Sequence, residues 1–141
     1  MMATCLIHMR IKQGEAPAFE AIAKSLYKDS LAHEVGMIRY EYWRGQEPNS
    51  YYCLQSFDSY DGFLNHETAA YHEAMAEPVM ALIEHFELQW VDPVQGAAPL
   101  ASTQEYMPEA EMSERKKLYA GMFPLSLAGW WLGLPRQEAA R

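Results

Sequence analysis

Two cysteines, Cys5 and Cys53, are all that the 141-residue chain contains, and both fall in strand-like stretches. Two thiols without metal-like spacing cannot build a structural zinc site. They are expected to stay reduced, as in a cytoplasmic protein. Positive charge is also scarce: 11 Lys and Arg stand against 19 Asp and Glu, a formal charge of −8. Binding phosphates needs a basic face, so nucleic acid is excluded as a partner. The start of the chain, Met1-Met2-Ala3-Thr4-Cys5-Leu6-Ile7-His8-Met9-Arg10, lacks the basic opening and apolar run of a secretory signal. There is no glycine-rich phosphate loop, no nucleophile elbow, no His-Glu-x-x-His and no flavin or nicotinamide motif. No cofactor is therefore expected. No metal is expected either, since His66 and His72, six apart, are poorly spaced as two ligands on one helix.

Half of the residues are apolar, enough for the core of one domain. Thr4 to Lys12 alternates, with Cys5, Ile7, Met9 and Ile11 on one face of a strand and Leu6, His8 and Arg10 on the other. Gly14 ends it. Pro17 sits where a helix start tolerates proline, and Phe19, Ile22, Ala23 and Leu26 recur at helical spacing across 15–33. After Gly36, Met37 to Arg44 is rich in strand formers. Glu47-Pro48-Asn49-Ser50 is turn chemistry, and Tyr51 to Phe57 returns as the second arm of a hairpin. Asp58 and Ser59 can cap a helix from Tyr60, and Thr68 offers a second cap. Pro78 should kink or restart that helix. Phe86 to Val91 reads as the last strand.

The order βαββαβ in about 92 residues is the ferredoxin-like, split βαβ arrangement of an α+β fold. Helices on one face of a four-stranded sheet leave the other bare. Leu6, His8 and Tyr or Trp side chains are too apolar to stand there in water, so a second copy should cover them as a homodimer. The domain is expected to end at 93. Residues 94–141 form a C-terminal extension, with 96–102 linker-like and Ser113 capping a short helix. Leu118 to Pro135 is uncharged and holds Trp130 and Trp131. It is barely long enough to span a bilayer and is broken by three glycines and two prolines. An arm packed on the domain or on its dimer partner is expected, and no membrane.

Several short stretches, Arg10-Ile11-Lys12-Gln13-Gly14, Glu34-Val35-Gly36, Arg39-Tyr40-Glu41, Phe57-Asp58-Ser59 and His66, resemble the antibiotic-biosynthesis-monooxygenase family over about residues 3–93. These are small dimeric α+β barrels that include quinol monooxygenases and haem-degrading relatives. The chain departs from the pattern at Gln55, where relatives often carry glutamate, and at Phe57, where they often carry tryptophan. The resemblance implies cofactor-independent oxygenation of a quinol, polyphenol or polyketide-like aromatic. Superfamily relatives with the same sheet keep a second reading open, a non-oxidative isomerase or lyase of a dienol acid from aromatic catabolism.

His66, one turn into the second helix, is the leading candidate for the group that takes a phenolic or enolic proton. The alternative is a histidine that merely packs. His72 and Tyr71 follow, with one of them expected in the same cavity and the other on the helix surface. Tyr40 and Tyr42 could stack on a flat ring and donate a hydroxyl, or simply pack in the sheet. Arg39 and Arg10 could hold a carboxylate; a salt bridge to Glu41 is the plainer role for Arg39. Gln55 must find partners, substrate or more commonly a tyrosine. His8 shares a face with Leu6 and Arg10, toward the expected dimer interface, and ranks below His66. His33 and His85 lie at predicted helix ends.

Overall fold

The computed structural model describes residues 2–106 and 112–138. β1 (Ala3–Ile11), α1 (Ala16–His33), β2 (Met37–Arg44), β3 (Ser50–Phe57), α2 (Tyr60–Thr68), α3 (Ala70–Leu82) and β4 (Ile83–Val91) follow in that order. The strands form one antiparallel sheet in the order β2-β3-β1-β4, the ferredoxin-like topology that the alternation implied.

Register decides which side chains meet. Cys5 lies opposite Gln55, Ile7 opposite Cys53 and Met9 opposite Tyr51. These inward residues pack with Phe19, Ala23 and Leu26, the helical stripe of α1. On the other face Leu6 pairs with Leu54 and His8 with Tyr52. Leu6, Ile38, Trp43 and Tyr52 remain exposed there, Trp43 by 60%. In the β2–β3 hairpin Asn49 takes a φ of 63°, a left-handed conformation that asparagine tolerates.

Gly36 joins the turn after α1 to the turn before α2. Its carbonyl accepts from Asp58 N at 2.8 Å, and a Cβ at Gly36 would meet Asp58 Oδ1 at 2.9 Å. That approach sets the end of α1 against the start of α2. Ser59 caps α2, accepting from Gly62 N.

The second helix divides one residue after Thr68, the second cap expected from the sequence. The break is at Ala69, whose ψ of 137° is extended, and not at Pro78, which α3 carries inside a continuous helix. Thr68 does not cap α3; its hydroxyl donates back to Leu64 O at 2.8 Å, and α3 has no side-chain cap. β4 begins directly after α3, so His85 lies in a strand and not at a helix end.

The stretch 96–102 is not a free linker throughout. Ala101, Ser102 and Thr103 are buried, Thr103 Oγ1 donates to Val91 O at 2.6 Å and Gln104 N to Met2 O at 3.0 Å. α4 (Glu114–Met122) is capped by Ser113, and Gly129–Gly133 forms a 3-10 turn. Tyr119 and Leu125 enter a second core with Phe57, Tyr60, Phe63 and Leu64. Tyr60 OH donates to Phe123 O at 2.7 Å and Trp90 Nε1 to Pro124 O at 3.0 Å. Among the described residues no helix is long and apolar enough to cross a membrane.

Candidate functional site

His66 occupies the last turn of α2 with none of its surface exposed. Its Nδ1 lies 3.0 Å from both carboxylate oxygens of Glu34, the residue that ends α1. Ser30, one helical turn before Glu34, approaches the same nitrogen at 3.5 Å. Tyr71 donates its hydroxyl to Glu34 Oε2 in a short hydrogen bond. A carboxylate accepts only, so the neutral imidazole is assigned its proton on Nδ1 and a bare lone pair on Nε2. That Nε2 is buried and has no hydrogen-bond partner among the described residues.

The break at Ala69 folds the start of α3 back onto this group. The ring of His72 lies 4.5 Å from that of His66, and its Nδ1 is 3.9 Å from Glu67 Oε2. Tyr71 and His72 therefore both join the cluster, where only one of them was expected. On the sheet side, Tyr40 meets the His66 ring edge-on at 5.2 Å, and Tyr40 and Tyr42 share a hydroxyl hydrogen bond of 2.6 Å.

The electrostatics follow from burial. Desolvation would raise the Glu34 carboxyl, but the hydrogen bond and charge of His66, with the Tyr71 and Ser30 hydroxyls, outweigh it and hold Glu34 below the usual range. Glu67 lacks comparable support. Burial pushes it up to about 7, His66 opposing the rise and Glu34 adding to it. His72 is drawn down to about 3, by burial first and then by the neighbouring His66. Burial also pushes the Tyr40 and Tyr42 phenols up, so both remain hydroxyl donors at neutral pH.

Arg39, His8 and Gln55 do not join His66. Arg39 lies on the outer face and pairs with Glu41 at 2.9 and 3.0 Å. His8, also on that face, stacks on Tyr52 at 4.7 Å and bonds Ser50 Oγ at 2.9 Å. Gln55 is buried on the inner face, but its partners are thiols and not a tyrosine. It accepts from Cys5 and donates to Cys53, each at 3.7 Å.

A groove of about 660 Å³ lies between α1 and β2. Phe19, Tyr27, Tyr42, Trp43 and Tyr51 give it aromatic walls, and Glu20 and Arg44 a charged rim. Glu20 accepts from Arg44 at 2.7 Å and from Tyr51 at 2.6 Å. Tyr42 connects this groove, through Tyr40, to the His66 cluster.

Sequence reasoning passed over two members of the cluster, Glu34 and Glu67. A signal existed for both. Each is an acid at the C-terminal end of a helix, where the macrodipole disfavours negative charge. A carboxylate kept there asks for a specific partner.

The sequence profile of the antibiotic biosynthesis monooxygenases matches residues 2–78. The chain belongs to the antibiotic biosynthesis monooxygenase family. Solved structures agree on the fold. A provisionally assigned antibiotic biosynthesis monooxygenase of Caulobacter crescentus superposes with a TM-score of 0.63 at 21% identity, over 67% of this chain and 91% of that one. A Shewanella oneidensis protein gives 0.59 at 24% identity, over 64% and 88%. A Mycobacterium tuberculosis protein gives 0.63 at 11% identity, over 70% and 100%. No curated protein is detectably similar to the chain. Family membership supports a monooxygenase-type function, and the residues after 78 lie outside the matched profile.

Proposed function

We propose that this antibiotic biosynthesis monooxygenase relative oxygenates a small quinol or polyphenol, with the substrate itself supplying the electrons. One observation carries the reading: His66 has Nδ1 held by the Glu34 carboxylate and a buried, bare Nε2. That is the arrangement of a general base, oriented on one nitrogen and free on the other. Nε2 takes the phenolic proton, and Glu34 stabilises the imidazolium that results. The electron-rich phenolate then reacts with O₂. For a hydroquinone the balance closes as quinol plus O₂ giving hydroxyquinone plus water. One oxygen atom enters the ring, and the ring loses two electrons in addition to those that form the new bond.

His72 is partly exposed, its side chain by 17%, and we place the approach to Nε2 beside it. The Tyr40–Tyr42 pair offers hydroxyl donors on the sheet side. We assign the extension after residue 93 the role of a brace on the domain. We also infer a homodimer, with the apolar outer face of the sheet as its interface. The free, buried Cys5 and Cys53 support a reducing, cytoplasmic setting.

The isomerase or lyase reading needs an arginine for the substrate carboxylate. Arg39 is engaged with Glu41 on the outer face, and Arg10 is paired with Glu84 at 3.4 Å. Neither stands beside His66, which favours oxygenation. An oxygen electrode with a panel of quinols and polyphenols tests the proposal. Uptake stoichiometric with product supports it, and product formed without uptake transfers the site to proton-transfer chemistry.

A further inference from the structure

We infer that His66, Glu67 and His72 form a binding site for a divalent first-row transition-metal ion of zinc type. Each offers one ligand atom, and these atoms lie within 4.8 Å of one another. Two imidazole nitrogens and one carboxylate form a donor set suited to zinc, with a fourth position left for water or substrate. In a tetrahedral shell with metal–ligand distances of about 2.1 Å, ligand atoms sit about 3.4 Å apart. The Glu67–His72 separation of 3.9 Å is close to that, and small side-chain rotations complete the set.

The orphaned nitrogens point the same way. Buried polar atoms almost always have a partner. Yet among the described residues His66 Nε2 and His72 Nδ1 both lack one, and their rings stand side by side. His66 is wholly buried. Its other nitrogen, Nδ1, is bound to the Glu34 carboxylate, and Tyr71 in turn fixes Glu34. A carboxylate on the distal nitrogen of a metal-bound histidine is the usual outer-shell support for such a site. The spacing argument against a metal assumed one helix through His66 and His72. The extended residue Ala69 removes that premise by restarting the chain as α3. A second His–His–Glu grouping, His8, His85 and Glu87, lies on the outer face, and its His8 Nε2 is already bonded to Ser50.

The inference goes beyond the oxygenation reading and does not depend on it. The two states exclude each other, because Nε2 cannot accept a proton while it holds a metal. A bound ion would therefore switch the base off.

The test uses the full chain, stripped with a chelator and titrated with Zn²⁺ by calorimetry and with Co²⁺ by visible absorption. One ion per chain is expected, with a Co²⁺ spectrum of low coordination number. His72→Ala and Glu67→Gln should each weaken binding by more than about 100-fold, since each removes a ligand. Glu34→Gln should weaken it by about 10–100-fold through the outer shell. Circular dichroism confirms folding, and His72→Gln replaces His72→Ala if the latter fails to fold. The inference is overturned if the wild type binds neither ion, if the ligand variants bind as tightly as wild type, or if His85→Ala abolishes binding instead. None of these readouts involves oxygen uptake, so the two proposals fail separately.

Discussion

Glu34 holds His66 by one nitrogen, with both carboxylate oxygens 3.0 Å from Nδ1. The pair links the end of α1 to the end of α2, elements brought together by the contact of Gly36 with Asp58. Glu34→Gln tests what the charge does. An amide can donate to Nδ1 and so place the imidazole proton on Nε2, the wrong tautomer for a base. Turnover should fall by on the order of 10²–10⁴. Tyr71→Phe leaves the carboxylate in place and removes one hydrogen bond, about 1 kcal/mol or roughly fivefold in rate. Steady-state rates of the two variants on one substrate check the ordering, and equal losses would contradict it.

Glu20 gives the groove rim an acid-sensitive joint. Hydrogen bonds from Arg44 and then Tyr51 lower its pKa from 4.5 to about 2. The folded value lies below the unfolded one, so the stabilisation is present above about pH 4.5 and is lost as pH falls toward about 2. The Glu20 side chain is 37% exposed, so salt screens the effect. Glu20→Gln should flatten the decline in urea midpoint across that window, most visibly at low ionic strength. Identical pH profiles for variant and wild type would remove the assignment.

Leu125 tests whether the extension is part of the fold. It is 5% exposed and packs in the second core with Phe63 and Tyr60. Leu125→Ala should cost about 2–5 kcal/mol by loss of burial and residual cavity. Urea unfolding of the intact chain measures this. A change within about 0.5 kcal/mol would mean that the segment is detached in solution.

Leu6 sits on the bare face of the sheet, opposite Leu54 on the neighbouring strand. A charge there should disfavour pairing of two copies while leaving the helix-side core alone. Sedimentation should give a dimer for the wild type and a shift toward monomer for Leu6→Glu. A wild-type monomer would overturn the assembly we infer.

The strands were legible because alternation is a local property. Cys5, Ile7 and Met9 against Leu6, His8 and Arg10 anticipated the faces that the register shows. The histidine cluster was only half legible. His66 follows from its place after the hairpin, but its meeting with His72 depends on Ala69, and alanine carries no turn chemistry. Thr68 marked the break to within one residue without capping α3, its hydroxyl turning back to Leu64 O, whereas Pro78 lies inside a continuous helix. Glu34 and Glu67 were missed because their partners come from other helices, across distances that no periodicity records. In the extension, small residues such as Ala101 and Ser102 resemble a linker by composition. They are buried because Thr103 and Gln104 find backbone partners at Val91 and Met2.

Oxygen uptake by chelator-treated wild type and His66→Ala, measured on the same quinol with both proteins shown to be folded, tests the central claim most directly. Loss of the buried base should lower the rate by on the order of 10²–10⁴. A folded His66→Ala protein that consumes oxygen at the wild-type rate would contradict the account.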